Sequence, residues 1–288
     1  MDARAYQAAR RMLDTRFGKI AYVERGHGPV ALFLHGYPLN GFQWRGALER
    51  LSPIRRCVAA DFLGLGYTET GADQDLSPHV QAEMLIAVLD ALAIDAVDLV
   101  ANDSGGTVAQ LLAVEHPDRV RTMLLTDCDV HENSPPAKLR PFIELARAGR
   151  GAKEWLAPQL ADPAFARSDK GLGGGAYTRP EHLTDEAIAY YFTPLLSSPL
   201  RMAQFDRYAV AFEPNPLVAI EPALKRCTIP ARIVWGTNDQ LFDTAWAAWL
   251  DRTLPRSTGV RLVPGAKLFF PEEMPDLIAA EARRLWGA

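Results

Sequence analysis

Short apolar runs alternate with helix-like patterns along the first 130 residues of the chain. Runs rich in β-branched and aromatic residues, typical of strands, cover residues 19–24, 30–34, 57–60, 97–101 and 120–126. Between these runs, apolar residues recur at helical spacing over residues 42–51, 77–92 and 108–115. Strands that alternate with helices in this way predict an α/β fold, with a mostly parallel central sheet and helices on both faces.

The alternation stops near residue 131 and resumes after residue 215. Helical patterns fill the intervening segment, at 139–150, 153–160, 185–196 and 200–212, with a glycine-rich stretch at 171–175 that predicts a flexible loop. The segment is too long and too helical for a crossover connection. It therefore predicts a helical cap of residues 131–215, inserted into a core of residues 1–130 and 216–288. Two more strands, at 231–235 and 259–263, and two helices, at 244–254 and 273–286, complete that core.

The sharpest turn signal follows the apolar run at 97–101. A strand, a tight turn and a helix, with small residues two before and two after the central position, are typical of a nucleophile elbow. Ala101, Gly105 and Gly106 fall in this frame, so the nucleophile position is occupied by Asp103 and not by Ser104. The alternative is that Asp103 only caps the following helix, as aspartate often does.

Composition and charge exclude several classes of protein. The chain has 288 residues, 48% of them hydrophobic, and a net charge of −4, which gives no basic footprint for nucleic acid. Three widely separated cysteines indicate neither a disulfide framework nor a metal site. No apolar run approaches the roughly 20 residues of a membrane span, and residues 1–4 do not resemble the start of a signal peptide. We therefore expect a cytoplasmic monomer or homodimer that needs no metal or cofactor.

Four stretches together resemble the α/β-hydrolase fold superfamily, and within it the haloalkane dehalogenase and epoxide hydrolase branch. Residues 35–45, HGYPLNGFQWR, are similar to the segment after that family's third sheet strand, and residues 61–66, DFLGLG, to its Asp-x-x-Gly-x-Gly loop. Asp103 occupies the position that this branch fills with a nucleophilic aspartate. Residues 235–239, WGTND, are similar to the strand end that supplies a catalytic acid. The resemblance implies the α/β-hydrolase fold with an inserted cap.

The resemblance also implies a chemistry for the elbow. The carboxylate of Asp103 would attack an electrophilic carbon and form an ester, which water then hydrolyses. The backbone N–H groups of Tyr37 and Ser104 would hold the developing oxyanion. Asp239 is the expected acid that orients the base, although it also fits a simple turn. Asp127, at the end of the preceding strand, is the second choice for this acid.

The chain departs from the family where the water-activating histidine belongs. Alignment on Gly265 or on Pro271 puts Leu268 at that position. Lys267, one residue earlier, is charged near neutral pH at its ordinary pKa of roughly 10.4. His131 lies just beyond a predicted strand, at the sheet edge where ligands bind in α/β proteins, and is the candidate substitute base. The alternative is that His131 has a structural or substrate-contacting role.

Contacts with substrate follow from the same resemblance. The tryptophan and asparagine that bind halide in dehalogenases are replaced here by Ser104 and Tyr37. Epoxide hydrolases use cap tyrosines to protonate the epoxide oxygen, and Tyr191 is the preferred candidate, with packing of the cap as its alternative role. We also expect substrate contacts from His35, Trp44 and Leu268, although His35 could serve only to order its loop. The apolar cap predicts a small apolar substrate. The other cap tyrosines are Tyr177, Tyr190 and Tyr208.

Three functions remain open at this point. The first is a hydrolase that uses Asp103 covalently on an epoxide, an activated ester or an alkyl halide, with a non-standard or missing base. The second is a non-hydrolytic enzyme in which Asp103 serves as a general acid or base. The third is a ligand-binding protein that keeps the pocket without the chemistry. The fold alone does not choose among them.

Overall fold

Eight strands form one sheet through the middle of the protein, whose computed structural model describes all 288 residues. The strands are β1 (Arg10–Thr15), β2 (Gly18–Arg25), β3 (Val30–Leu34), β4 (Arg56–Ala60), β5 (Val97–Asp103), β6 (Val120–Cys128), β7 (Ala231–Gly236) and β8 (Ser257–Val263). Their order across the sheet is β1-β2-β4-β3-β5-β6-β7-β8. β1 and β2 pair antiparallel, as do β2 and β4, and all other pairs are parallel. The predicted α/β fold is confirmed.

Fourteen α-helices accompany the sheet. Those of the core are α1 (Ala3–Ala9), α2 (Arg45–Leu51), α3 (Pro78–Ala91), α4 (Ser104–Glu115), α11 (Leu217–Leu224), α12 (Thr244–Thr253), α13 (Phe270–Glu273) and α14 (Pro275–Trp286). Those between β6 and α11 are α5 (Arg140–Arg147), α6 (Ala157–Ala161), α7 (Pro163–Arg167), α8 (Leu172–Ala176), α9 (Asp185–Leu196) and α10 (Pro199–Val210). None of the helices combines the length and the apolar character that crossing a membrane requires.

Helices α1 and α11 were not predicted, and three further details differ from the sequence-based expectation. β1 was not predicted, because its residues alternate between half-buried and exposed and include no apolar run. The glycines at 171–175 belong largely to helix α8 and not to a loop. Their small size permits close packing, since a Cβ on Gly171 would lie 2.3 Å from the carbonyl oxygen of Phe165. The predicted last helix is divided at Met274, where Pro275 begins α14.

The turn from β5 into α4 depends on two glycines. Asp103 adopts a φ of 54°, in the left-handed region, and the chain reverses sharply into the helix. A Cβ on Gly105 would lie 2.6 Å from the carbonyl oxygen of Leu34, and one on Gly106 would lie 2.3 Å from the Cβ of Cys128. Helix α4 can therefore approach β3 and β6 this closely only because neither residue carries a side chain.

We expect Gly105→Ala to destabilise the protein by about 1–3 kcal/mol, because the added methyl group must displace backbone atoms and not a flexible side chain. Urea unfolding followed by circular dichroism measures the change. Gly71→Ala is the matched control, since a Cβ there meets nothing within 4 Å. Equal unfolding midpoints for the two variants would contradict the close packing of α4 against β3.

Candidate active site

A cavity of about 250 Å³ lies between the carboxyl ends of the central strands and the helices that follow β6. Most of its wall is apolar and aromatic, and its charged lining consists of Asp103, Asp129 and Asp239. Asp103 ends β5, Asp129 follows β6 and Asp239 follows β7. The cavity is therefore at the edge where parallel α/β sheets bind ligands. Its other lining residues include Tyr37, Ser104, Phe142, Trp155, Tyr208, Phe212, Leu268 and Phe269.

The carboxylate of Asp103 accepts hydrogen bonds from the backbone N–H groups that were predicted to hold an oxyanion. Its Oδ2 accepts a hydrogen bond from the N–H of Tyr37 at 2.7 Å. Burial raises the pKa of the Asp103 carboxyl to about 6, although hydrogen bonds from Ser104 and from the Tyr37 N–H partly oppose the shift and the charge of Asp239 adds to it. The structure therefore brings Asp103, Ser104 and Tyr37 together as predicted. At neutral pH most of the Asp103 carboxyl is ionised.

The side chain of Asn102 ties three parts of the site together. Its Nδ2 donates to the carbonyl oxygens of Asp127 and Leu268, each at 3.0 Å. Its Oδ1 accepts a 2.6 Å hydrogen bond from Gln43, whose own Oε1 accepts the N–H of Gly36. The turn that carries the Tyr37 N–H, the end of β6 and the loop after β8 are thus held to the residue just before Asp103.

The buried carboxyl of Asp127 lies against that of the half-buried Asp239. Asp127 Oδ1 accepts the N–H of Gly236 at 2.8 Å, and Asp239 Oδ1 accepts those of Leu241 and Phe242. The Oδ2 atom of each has no other donor. Burial, followed by the neighbouring Asp239, raises the pKa of Asp127 well above its usual range, and burial also raises that of Asp239. One shared proton between the two carboxyls satisfies both groups.

Leu268, which the sequence resemblance aligns with the family's histidine, lines the cavity with its side chain buried. Lys267 does not line the cavity. Its ammonium group donates a 2.6 Å hydrogen bond to the carbonyl oxygen of Gly174 in α8, and its N–H donates to Thr178. No imidazole or amine therefore faces Asp103 from this loop.

The structure does not bring His131 to the cavity. Its Nε2 lies 2.9 Å from a carboxylate oxygen of Glu221, and its ring packs against Trp249 with centroids 4.8 Å apart. The backbone of His131 has a φ of 49°, so the chain turns just beyond β6 and directs this side chain towards α11 and α12. The prediction that it stands in for the missing base finds no support in this geometry.

Three further candidates also lie outside the cavity. His35 accepts the N–H of Phe62 at Nε2 and contacts its own turn through Nδ1, and burial lowers its pKa to about 4. This neutral ring orders the loop, as the alternative interpretation had it. Trp44 is buried against Phe33, within the core. Tyr191 is buried with its hydroxyl 3.5 Å from Arg45. The expected substrate contacts of these three residues are corrected to structural roles.

Two residues at the cavity were not singled out from the sequence. Tyr208, on α10, has its hydroxyl 3.3 Å from the Ser104 Oγ. The only sequence signal for Tyr208 was its place among the tyrosines of the predicted cap. Asp129 is buried, and burial together with the nearby Asp103 raises its pKa to about 8, against smaller opposing effects of Ser134 and Thr107. Its place two residues after Asp127, at the carboxyl end of a predicted strand, was the signal for it.

Comparison with known proteins agrees with this architecture. The model of the alpha/beta hydrolase fold family matches residues 29–273. Haloalkane dehalogenase 2 of Mycobacterium tuberculosis is 29% identical over 99% of this chain and 98% of its own length. A haloalkane dehalogenase of Bradyrhizobium diazoefficiens is 30% identical over 88% of this chain and 86% of its own. The solved structure of the epoxide hydrolase CorEH superposes with a TM-score of 0.79 at 21% identity, covering 96% and 98% of the two chains.

The chain therefore belongs to the α/β-hydrolase fold family, in the branch of the haloalkane dehalogenases and epoxide hydrolases. The resemblance found in residues 35–45, 61–66 and 235–239 is confirmed at this level.

Asp129 gives the protein a specific dependence of stability on pH. Because its pKa is higher in the folded than in the unfolded chain, the stability contributed by its proton is complete below pH about 4 and is lost as the pH rises through about 8. We expect Asp129→Asn to remove this loss. The free energy of unfolding of the variant minus that of the parent should be about 4 kcal/mol larger at pH 8.5 than at pH 5, because ionisation of Asp129 costs the parent about 1.4 kcal/mol per pH unit between pH 5 and 8.

Urea unfolding at the two pH values tests this expectation. Asp276→Asn is the control, because its exposed carboxyl is paired with Arg50, which holds the Asp276 pKa below its usual range. That variant should gain no stability at high pH. A difference between parent and Asp129→Asn that does not change with pH would show that Asp129 is ionised in the folded protein.

Proposed function

We propose that this protein is an enzyme in which the carboxylate of Asp103 attacks an electrophilic carbon of a small organic substrate and forms a covalent ester. The observation that carries the proposal is the position of its Oδ2, 2.7 Å from the N–H of Tyr37, at the left-handed turn that opens helix α4. A carboxylate held in this way at an apolar cavity is an oriented nucleophile with little water to displace. The helices of residues 131–215 would act as the cap that excludes water.

An epoxide is the electrophile that the cavity favours. Attack by Asp103 breaks a C–O bond of the ring, and the resulting alkoxide takes the hydroxyl proton of Tyr208, which water later returns to the phenolate. The Tyr208 hydroxyl supports this step because it lies in the cavity, beside Ser104. An activated ester is the second choice. An alkyl halide is the third, since Ser104 and Tyr37 replace the family's halide-binding tryptophan and asparagine.

Hydrolysis of the ester is expected to be the slow step. Leu268 cannot accept a proton from water, and Lys267 and His131 are engaged elsewhere. Burial raises the pKa of Asp129 to about 8, so this carboxyl is protonated near neutral pH, and a protonated carboxyl is not a base. Asp127 and Asp239 share a proton, and the Oδ1 atoms of both are occupied by backbone N–H groups. The ester on Asp103 should therefore accumulate.

A second candidate function is acid–base catalysis without an ester. The pKa of Asp103, raised to about 6 by burial, suits a group that gives and takes a proton near neutral pH. Such a reaction needs no activated water, so the absence of a histidine would not impair it. A protein that only binds its ligand is the third possibility, and covalent labelling separates all three.

Intact-mass measurement after incubation with a terminal aryl epoxide, a bromoalkane and a 4-nitrophenyl ester tests the proposed nucleophile. We expect the epoxide to add its full mass, with peptide mapping placing the adduct on Asp103. The rate of labelling should rise with pH through about 6, where Asp103 loses its proton, and then level off. Asp103→Asn should remain unlabelled. Turnover without an adduct that depends on Asp103 would favour acid–base catalysis, and neither adduct nor product would favour a binding protein.

Leu268→His should convert a slow ester hydrolysis into turnover. The new imidazole would lie beside Asp239, in the cavity that contains Asp103, and a general base contributes roughly 100-fold or more to such a step. Steady-state release of diol from the epoxide measures the gain. Lys267→His is the matched control, because this neighbouring side chain extends towards α8 and not into the cavity. Equal rates for the two variants would mean that position 268 does not govern water activation.

A further inference from the structure

The charged lining of the cavity is entirely acidic. Asp103, Asp129 and Asp239 line it, and Asp127 is paired with Asp239 directly beside it. No lysine, arginine or histidine is among the lining residues. Buried carboxylates are normally matched by a cation or by donors. The neutral epoxide chemistry proposed above accounts for Asp103, and Asp127 and Asp239 share a proton, so Asp129 is left without a counterpart.

Asp129 is the carboxyl that the proposed reaction does not use. It is 3% exposed, and its Oδ1 has no hydrogen-bond partner. The hydroxyls of Ser134 and Thr107 are close enough to affect its ionisation, yet neither makes a hydrogen bond of good geometry. Its backbone is fixed, because its carbonyl oxygen accepts a 2.8 Å hydrogen bond from Gln110 on α4. A fixed, buried carboxyl with a free oxygen at a cavity is a ligand-binding group.

The remaining wall is mostly apolar and includes six aromatic side chains. Tyr37 and Tyr208 stack almost in parallel, with centroids 5.4 Å apart and an interplanar angle of 4°. Phe142 and Trp155 pack beside them, with centroids 5.0 Å apart, and both line the cavity. Aromatic faces attract cations, and cages of such rings bind quaternary ammonium groups. The apolar wall and the acidic lining are thus compatible with the same ligand.

We propose that the cavity selects substrates that carry an ammonium group on an apolar body, with Asp129 as the counter-ion and the aromatic wall around the charge. This inference rests on the proposed function in taking the cavity as the substrate site, and it names the class of substrate. The electrophilic carbon would lie at Asp103 and the cationic nitrogen at Asp129.

Binding of such a cation is coupled to loss of a proton. In the empty cavity Asp129 holds its proton up to pH about 8, whereas an ammonium group beside it favours the carboxylate. The groups that face Asp129 are Asp103 at the elbow, Tyr208 on α10, and Cys128 on its own strand. Asp239 lies across the cavity. The cationic side chain that affects Asp239 is that of Lys138, which is exposed and contacts Gln240.

Two unreactive probes of equal shape test the proposal by titration calorimetry. Benzyltrimethylammonium carries the charge, and neopentylbenzene replaces its nitrogen with carbon. We expect the ammonium probe to bind about tenfold more tightly at pH 8.5, the scale of a desolvated cation on aromatic faces. Its affinity should increase between pH 6 and 8, by up to about tenfold per pH unit. The affinity of neopentylbenzene should not change with pH.

Asp129→Asn should lower the affinity for the ammonium probe about tenfold, remove its pH dependence and leave neopentylbenzene unaffected. Asp276→Asn, which neutralises an exposed carboxyl, should change neither probe. Equal affinity of the two probes in the parent protein would overturn the proposal, as would an ammonium preference that Asp129→Asn does not alter. If Asp129→Asn does not fold, the comparison of the two probes and the pH series, both measured on the parent protein, still test the ammonium site.

Neither probe carries a strained ring, so this experiment is independent of the labelling of Asp103. A cation preference without labelling would overturn the nucleophile and leave the ammonium site standing. Labelling of Asp103 by neutral epoxides, together with equal affinity for the two probes, would support the nucleophile and overturn the ammonium site.

Discussion

The left-handed turn at Asp103 is the constraint on which the rest of the site depends. A φ of 54° is unfavourable for a residue with a side chain, and it persists because α4 is held tightly against β3 and β6. The two glycines at 105 and 106 make that packing possible, and Asn102 fixes the neighbouring strand ends. The N–H of Tyr37 then meets the carboxylate from the opposite side. Stability and the proposed chemistry thus depend on the same few residues, so the turn cannot be relaxed without displacing the carboxylate.

Burial sets the ionisation of the carboxyls at the cavity. Burial is the largest cause of the raised pKa of Asp103, Asp127, Asp129 and Asp239. Backbone N–H groups limit the shift to about 6 at Asp103, while Asp129, with only weak hydroxyl neighbours, reaches about 8. Two carboxyls of one cavity therefore differ in charge at neutral pH. Such a separation is how one site can hold both a nucleophile and a proton-carrying group.

The sequence predicted the sheet and the elbow because both are encoded locally. Apolar runs and small residues around Asp103 determine strand, turn and helix within a few positions. Side-chain direction beyond a strand end is not encoded locally, which is why His131 was expected at the cavity although its ring lies between Glu221 and Trp249. The substrate contacts predicted for Trp44 and Tyr191 are absent for a related reason. A large aromatic residue near a motif packs the core as readily as it binds a ligand.

The leucine at position 268 and the acidic pair behind it are connected physically. An imidazole there would donate a hydrogen bond to a carboxylate or accept one from a protonated carboxyl, and its charged form would lower the pKa of Asp127 and Asp239. A leucine supplies neither donor nor charge, and it excludes water from the same space. The shared proton of Asp127 and Asp239 is then the remaining way to bury both groups. The leucine at position 268 and the shared proton of Asp127 and Asp239 are consequently one feature, whereas the cation proposed for this cavity is the counterpart of Asp129.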